Sequence, residues 1–151
     1  MRRLPALIAT IMLTACAPSP APTPAAPKDE TKEPWYSETE QQLAAQNRQA
    51  AQLWKGGNED AAAKLIQDGE KLATKLLSVR NPTLAAMQDA SDLDDMYGRM
   101  LLSNHNYGWA RLFFQKNAAR WRVWQPQTAD TTARLKAAQS GIDECDRRIG
   151  Q

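Results

Sequence analysis

The chain has 151 residues, of which 24% are charged and 42% hydrophobic, a composition typical of one globular domain. Its formal net charge is only +2. A nucleic-acid partner would require a surplus of clustered Lys and Arg, so we expect none. The sequence divides into residues 1–15, 16–35 and 36–151, which differ in composition.

Residues 1–15 have the pattern of a secretory signal peptide. Arg2 and Arg3 precede an uncharged apolar run that is too short to span a bilayer. The run ends in Leu13-Thr14-Ala15-Cys16, which resembles the lipobox of bacterial lipoproteins: an apolar residue, two small residues and a cysteine. The resemblance implies cleavage before Cys16 and acylation of its thiol, which would anchor the protein to a lipid bilayer.

Cleavage before Cys16 would lower the net charge of the chain, and the residue after the cysteine suggests which membrane the protein is anchored in. Loss of Arg2 and Arg3 lowers Lys+Arg from 19 to 17, equal to the 17 Asp+Glu, so the mature chain is nearly neutral. Ala17 follows the cysteine, where an aspartate would resemble the inner-membrane retention signal of enterobacteria. The resemblance therefore implies the outer membrane, facing the periplasm. The alternative is an ordinary signal peptide in which Cys16 is an incidental thiol.

Residues 16–35 are predicted to be a disordered tether that carries the lipidated cysteine. They are rich in Pro and Ala, then in charged residues, and no large apolar side chain occurs before Trp35. Such a composition does not bury a core. The prolines favour extended conformations of about 3.1 Å per residue, so the tether reaches on the order of 50 Å from the bilayer.

Residues 36–151 are predicted to form an all-α domain, because apolar positions recur every three or four residues and strand-like alternation is absent from the sequence. Gly56-Gly57 should end the first helix, and Asn58 should cap the second. Five antiparallel helices are expected, over Ser37–Lys55, Glu59–Ser78, a segment opened by Asn81-Pro82 that ends near Asn104, Tyr107–Val123 and Ala129–Ile149.

An internal repeat relates the two helix pairs, because the sequence aligns with itself when Asn58 is placed on Asn106. The same shift superposes Ala50 on Gly98, Leu53 on Leu101, Ala62 on Ala110, Leu65 on Phe113 and Ile66 on Phe114. Residues 55–66 and 103–114 each resemble the turn and second helix of a tetratricopeptide repeat. This resemblance covers residues 45–126 and implies two helix-turn-helix pairs followed by a C-terminal capping helix.

The match to the tetratricopeptide family departs from its pattern in three respects. The period exceeds the family's usual length, Gly69 and Asn117 replace an expected alanine, and Pro126 arrives a few residues late. A plain helical bundle is the alternative.

Few residues suggest chemistry. His105, the only histidine, is predicted to lie in a surface turn, and Cys145 is predicted to be buried on the apolar stripe of the last helix. No nucleophile–base motif, phosphate loop or metal-ligand spacing accompanies them, so we expect no enzyme, no metal and no cofactor. A run of acidic residues on the third helix is predicted to be a solvated face in which Arg99 pairs with Asp95; its members are Asp89, Asp92, Asp94 and Asp95.

An aromatic block spreads over two adjoining stripes of the fourth helix. Either other helices cover both stripes, or Trp109, Phe113 and Trp124 line a groove for a helix or peptide of a partner. The expected function is an envelope adaptor or assembly factor that binds another protein. The alternative is a carrier of a small apolar ligand or cell-wall glycan, which an enclosed cavity between the last three helices would favour.

Overall fold

A computed structural model describes residues 28–150, so the predicted signal peptide, Cys16 and residues 17–27 lie outside the described range. Within that range the chain is all α, without strands, and the predicted five helices are confirmed. A short 3-10 turn at Glu30–Lys32 precedes the helices α1 (Pro34–Lys55), α2 (Glu59–Leu77), α3 (Leu84–Ser103), α4 (Tyr107–Val123) and α5 (Ala129–Ile149).

The first helix begins before the predicted Ser37. Pro34 occupies its first turn, where a proline fits because the missing amide hydrogen has no partner in the helix. Tyr36 is buried, and its hydroxyl oxygen accepts a hydrogen bond of 3.1 Å from the amide of Thr83. Regular structure therefore begins earlier than residue 36, and residues 28–35 contain the 3-10 turn and the start of α1.

The start of α3 also differs from the prediction. Thr83, not Asn81, is the residue that caps the helix, and its hydroxyl oxygen accepts a hydrogen bond of 3.1 Å from the amide of Ala86. Pro82 consequently precedes the cap instead of occupying the first helical position. Threonine and asparagine are both good caps, so the sequence alone does not choose between them.

The helices form two layers. Each of α1, α2, α3 and α4 packs against the helix that follows it, while α1 also contacts α3, and α3 contacts α5. Helices α1, α3 and α5 therefore make one layer, and α2 and α4 make the other. A salt bridge of 3.6 Å between Lys116 of α4 and Glu70 of α2 crosses the groove between the two helices of the second layer.

The turns α1–α2 and α3–α4 have the same hydrogen bonds. The amide of Asn58 donates to the carbonyl of Leu53 at 2.9 Å, and at the equivalent position of the second turn the amide of Asn106 donates to Leu101 at 2.8 Å. Buried positions also correspond: Ala62 matches Ala110, and Ile66 matches Phe114, each almost fully buried. The two helical hairpins therefore share one turn geometry and these two buried positions.

Phe114 fills the space between α3, α4 and α5. A Cβ atom added to Gly141 of α5 would lie 2.6 Å from the Phe114 ring, and one added to Gly98 of α3 would lie 3.0 Å from it. The ring is thus held between two glycines that permit close approach of the helices. An enclosed cavity between these three helices would favour a carrier of a small ligand. The Phe114 ring fills that space instead.

Candidate functional site

The aromatic side chains of α4 divide into a buried and an exposed set. Phe114 and Trp121 are buried, and the indole nitrogen of Trp121 donates a hydrogen bond of 2.8 Å to the hydroxyl of Ser91. Trp109, in contrast, is 65% exposed. The other helices therefore cover one aromatic stripe of α4, and part of the second stripe remains open to solvent.

Trp109 and Phe113 come together with Tyr97 and Leu101 of α3. These four residues, which we call the aromatic patch, line an open cleft of about 310 Å³. Within it, the rings of Tyr97 and Phe113 pack edge to face with their centroids 4.8 Å apart. Leu112, which is 52% exposed and lies one turn after Trp109, adds apolar surface on the same helix.

Helix geometry explains why these side chains meet. Trp109 and Phe113 are four residues apart on α4, and Tyr97 and Leu101 are four residues apart on α3, so each pair lies on one face of its helix. Because α3 and α4 pack against each other, the two pairs face a common cleft. The predicted association of Trp109 with Phe113 is therefore present in the structure.

Trp124 lies elsewhere. It follows the last residue of α4, whereas Trp109 is in the first turn, and this separation corresponds to about 22 Å along a helix axis. The Trp124 ring packs edge to face on Trp121, with centroids 6.4 Å apart. The structure thus does not bring Trp124 into one groove with Trp109 and Phe113.

A cluster of charged residues adjoins the aromatic patch. The ammonium of Lys116 lies 5.7 Å from the centroid of the Phe113 ring, donates to Asp94 Oδ1 at 2.8 Å and is 3.6 Å from Glu70. Burial of Glu70 raises the pKa of its carboxyl group, and the neighbouring charge of Lys116 opposes this shift. Lys116 therefore links the apolar patch to an interior ion pair.

That ion pair joins Asp94 to Arg120. The Asp94 side chain is 1% exposed, and its Oδ2 accepts a hydrogen bond of 2.8 Å from Arg120 Nη2. Arg120 also donates to the side-chain oxygen of Asn117, whose amide group donates to the carbonyl of Ser91 at 2.9 Å. A buried charge requires such partners, because an unpaired ion in the interior is strongly unfavourable.

The prediction that the acidic run forms a solvated helix face is therefore wrong for Asp94. The prediction holds better for Asp95, whose Oδ2 is 2.7 Å from Arg99 Nε, the pairing that was predicted. It also holds better for Asp92, which is exposed and whose Oδ1 is 2.5 Å from Arg134 Nη1 of α5. The carboxyl of Asp89 is half-buried, and its pKa rises to about 6 because burial and the nearby Asp92 disfavour its charge.

The polar network belongs to the second helix pair only. When the two pairs are aligned by their turns, Asn117 occupies the position of Gly69, which packs against Leu43 and Leu93. The sequence signal for the network was this replacement of a small residue by asparagine. The remaining network positions also differ from the first pair: Ser91 replaces Leu43, Asp94 replaces Gln46, Arg120 replaces Leu72 and Trp121 replaces Ala73.

The structure places His105 and Cys145 as the sequence predicted. His105 is exposed in the α3–α4 turn, with its ring 5.8 Å from that of Tyr107. Cys145 is fully buried, and burial raises the pKa of its thiol. Residues 28–150 contain no group of three or more His, Cys, Asp or Glu side chains arranged to hold a metal ion.

Comparison with protein-family models, curated proteins and solved structures found no match to this chain. The resemblances to the lipobox and to the tetratricopeptide repeat therefore stay predictions. None of the helices in the described part combines the length and apolar character needed to cross a membrane.

Proposed function

We propose that this protein is a membrane-anchored lipoprotein whose helical domain binds another protein of the bacterial envelope without catalysing a reaction. The observation that carries the proposal is the exposure of Trp109 beside Phe113, Tyr97 and Leu101 in an open cleft. An exposed apolar cluster of this kind typically marks an interaction site on a soluble domain.

The chemistry of the patch suits a protein partner. Tryptophan and tyrosine are common at the centres of protein interfaces, because they contribute large contact areas at a small entropic cost. The aromatic patch contains one of each, Trp109 and Tyr97, with Phe113 between the two helices' contributions to the cleft. An amphipathic helix of the partner would fit this cleft with its own apolar residues spaced at three and four. The exposed Leu112 would add a further apolar contact with the partner.

A small apolar ligand or a cell-wall glycan is supported less well. The space between α3, α4 and α5 is occupied by Phe114, packed against Gly98 and Gly141. Ligand sites for small molecules usually bury most of the ligand surface, whereas the aromatic patch is open with Trp109 at its margin. The open patch therefore favours a protein partner that lies across the surface of the domain over a small ligand enclosed within it.

The proposed anchor is acylated Cys16, with the protein in the outer membrane facing the periplasm. This part of the proposal rests on the motif Leu13-Thr14-Ala15-Cys16 and on Ala17 after it. Several acyl chains on one residue hold a protein on a bilayer, since each buried methylene contributes about 0.8 kcal/mol. The adaptor would then act on partners at the membrane surface.

Affinity capture of the tagged lipoprotein from its native envelope tests the proposal. We expect one stoichiometric protein partner with the wild-type chain, and its loss with Trp109→Ser, which alters an exposed side chain and leaves the core intact. Ile149→Ser is the matched control, because Ile149 is an apolar residue that is 56% exposed on α5 and does not line the aromatic patch. Equal capture by Trp109→Ser and by wild type would contradict a role for the aromatic patch.

A further inference from the structure

The first residues that the structure describes lie at the end of the domain that carries the α2–α3 loop. Residues 28–31 lie around a cleft of about 420 Å³ together with Val79, Arg80 and Asn81 of the α2–α3 loop. Gln88 of α3 donates to Asp130 of α5 at 3.0 Å, which places the α4–α5 loop at the same end. We call this end, formed by residues 28–33, 78–83 and 123–128, the tether end.

The tether end presents apolar side chains to solvent. Val123 is 75% exposed, and the partly buried Trp124 follows it directly. Their loop is held in place, because the side-chain amide of Gln127 donates to the carbonyls of Trp121 at 2.7 Å and Trp124 at 2.8 Å. The apolar pair is thus displayed by a fixed loop.

Two arginines accompany the apolar pair. Arg80 and Arg122 are exposed at this end, and neither makes a salt bridge with another of the residues 28–150. Tryptophan is favoured at membrane–water interfaces, where its ring is in an apolar environment and its N–H in a polar one. Arginine side chains bind lipid phosphates. This combination fits the surface of a lipid bilayer.

We propose that the tether end of the domain lies on the bilayer, with Val123 and Trp124 in the headgroup region and Arg80 and Arg122 facing lipid phosphates. The proposal rests on the proposed anchor at Cys16. Eleven residues separate Cys16 from Lys28, so the two are roughly 37 Å apart when this segment is in the polyproline conformation, at about 3.1 Å per residue. A tether this short keeps the domain at a high effective concentration near the membrane, so even a weak surface affinity leads to contact.

This orientation would also decide where the aromatic patch lies. Trp109 is in the first turn of α4 and Val123 is its last residue, so about 21 Å of helix separates them. With Val123 at the bilayer, the aromatic patch lies toward the opposite end of the domain. A partner can then reach Trp109 while the domain remains docked on the lipid surface.

Fluorescence quenching by brominated lipids tests the docking. The acylated chain is reconstituted into phosphatidylcholine vesicles whose acyl chains carry bromine, which quenches nearby tryptophans. We expect part of the emission of the five tryptophans to be quenched, and most of that quenching to be lost with Trp124→Phe. Trp109→Phe is the matched control and should retain it. Val123→Asp should reduce it, since a carboxylate opposes insertion.

Unquenched emission from the anchored wild-type chain would overturn the proposal, as would loss of quenching with Trp109→Phe instead of Trp124→Phe. The anchor is measured separately, by mass spectrometry of Cys16. If the thiol proves unmodified, the lipoprotein proposal fails, and the docking is then tested by linking Cys16 to a maleimide lipid in the same vesicles. Cys145 is fully buried and does not compete for the maleimide. Circular dichroism establishes that each variant is folded.

Discussion

His105 has the same left-handed backbone conformation as Gly57, its counterpart in the first helical hairpin. Their φ angles are 60° and 80°, and each residue lies in the turn that joins the two helices of a hairpin. The preceding helix ends in both cases with equivalent hydrogen bonds, from Gly57 to Trp54 and from His105 to Leu102. The turn therefore requires a left-handed residue, which glycine adopts freely and histidine adopts with strain.

Replacing His105 with glycine should stabilise the domain. Relief of the left-handed strain exceeds the entropic cost of a glycine in the unfolded chain, so we expect the free energy of unfolding to rise by about 0.5 kcal/mol. The reciprocal Gly57→His should lower it by about 1 kcal/mol. Urea unfolding measured by circular dichroism checks both, and a stabilising Gly57→His would contradict the equivalence of the two turns.

The packing of Phe114 between two glycines predicts an ordered series of alanine variants. Gly141→Ala should destabilise the domain by about 2 kcal/mol, because the new Cβ clashes with the ring. Gly98→Ala should have a smaller effect, since its Cβ would lie 3.0 Å from the ring. Gly108→Ala is the control: apart from chain neighbours and its own helix backbone, no atom would lie within 4 Å of its Cβ. It should stabilise slightly, by less than the roughly 1 kcal/mol of a helix interior, because Gly108 is in the first turn of α4.

Thermal unfolding of the three variants gives the ranking. If Gly141→Ala unfolds at the wild-type temperature, the space between α3 and α5 is looser than the structure indicates, and an internal ligand cavity becomes the better explanation of the aromatic block.

The sequence predicts helices well where local signals mark both ends. The predicted bounds of α4 and α5 agree with the structure, because Pro126 follows the end of α4 and Gly150 follows the end of α5. Asn106 precedes α4, although its side chain makes no capping hydrogen bond. The start of α3 is less determined, since Asn81 and Thr83 are both capable caps and only the structure shows that Thr83 is used. Local sequence signals thus determine most of the helix ends.

The candidate site is predicted only in part, because it depends on contacts between distant residues. The spacing of Trp109 and Phe113 places them on one helix face, but their neighbours Tyr97 and Leu101 come from α3. The burial of Asp94 has a similar origin. Its partner Arg120 lies 26 residues further along the chain, and helical periodicity does not reveal which acidic residue of α3 faces that arginine.

The Asp94–Arg120 pair should show strong coupling in a double-mutant cycle. Asp94→Leu leaves both Arg120 and Lys116 without their shared carboxylate, so it should lower the free energy of unfolding by about 3 kcal/mol or more. Arg120→Leu should cost less, because Lys116 still pairs with Asp94 at 2.8 Å. The double variant should be less destabilised than the sum of the two, as measured by urea unfolding. Additive effects would show that the pair does not interact.

Asp89 should make stability depend on pH. Its pKa is raised to about 6 in the folded state from the ordinary value of 3.8, so the folded chain binds more protons than the unfolded chain between these values. Stability from this group is therefore present at low pH and is lost as the pH rises through 6. Asp89→Asn should increase the free energy of unfolding at pH 7.5 by about 1 kcal/mol, after allowance for solvent screening.

The gain from Asp89→Asn should disappear near pH 4, where the wild-type carboxyl is protonated in the folded state. Unfolding curves at several pH values check this. A gain that is constant from pH 4 to pH 7.5 would assign the effect to packing and not to charge.

We propose that the exposed aromatic patch binds an envelope protein, and photocrosslinking from Trp109 in living cells would detect that contact. A benzophenone amino acid is placed at Trp109 in the full lipoprotein, with Lys136, exposed on α5, as the control position. We predict one discrete adduct of defined mass from position 109 and none from position 136. Absence of any adduct at 109, or the same adducts from both positions, would contradict the claim.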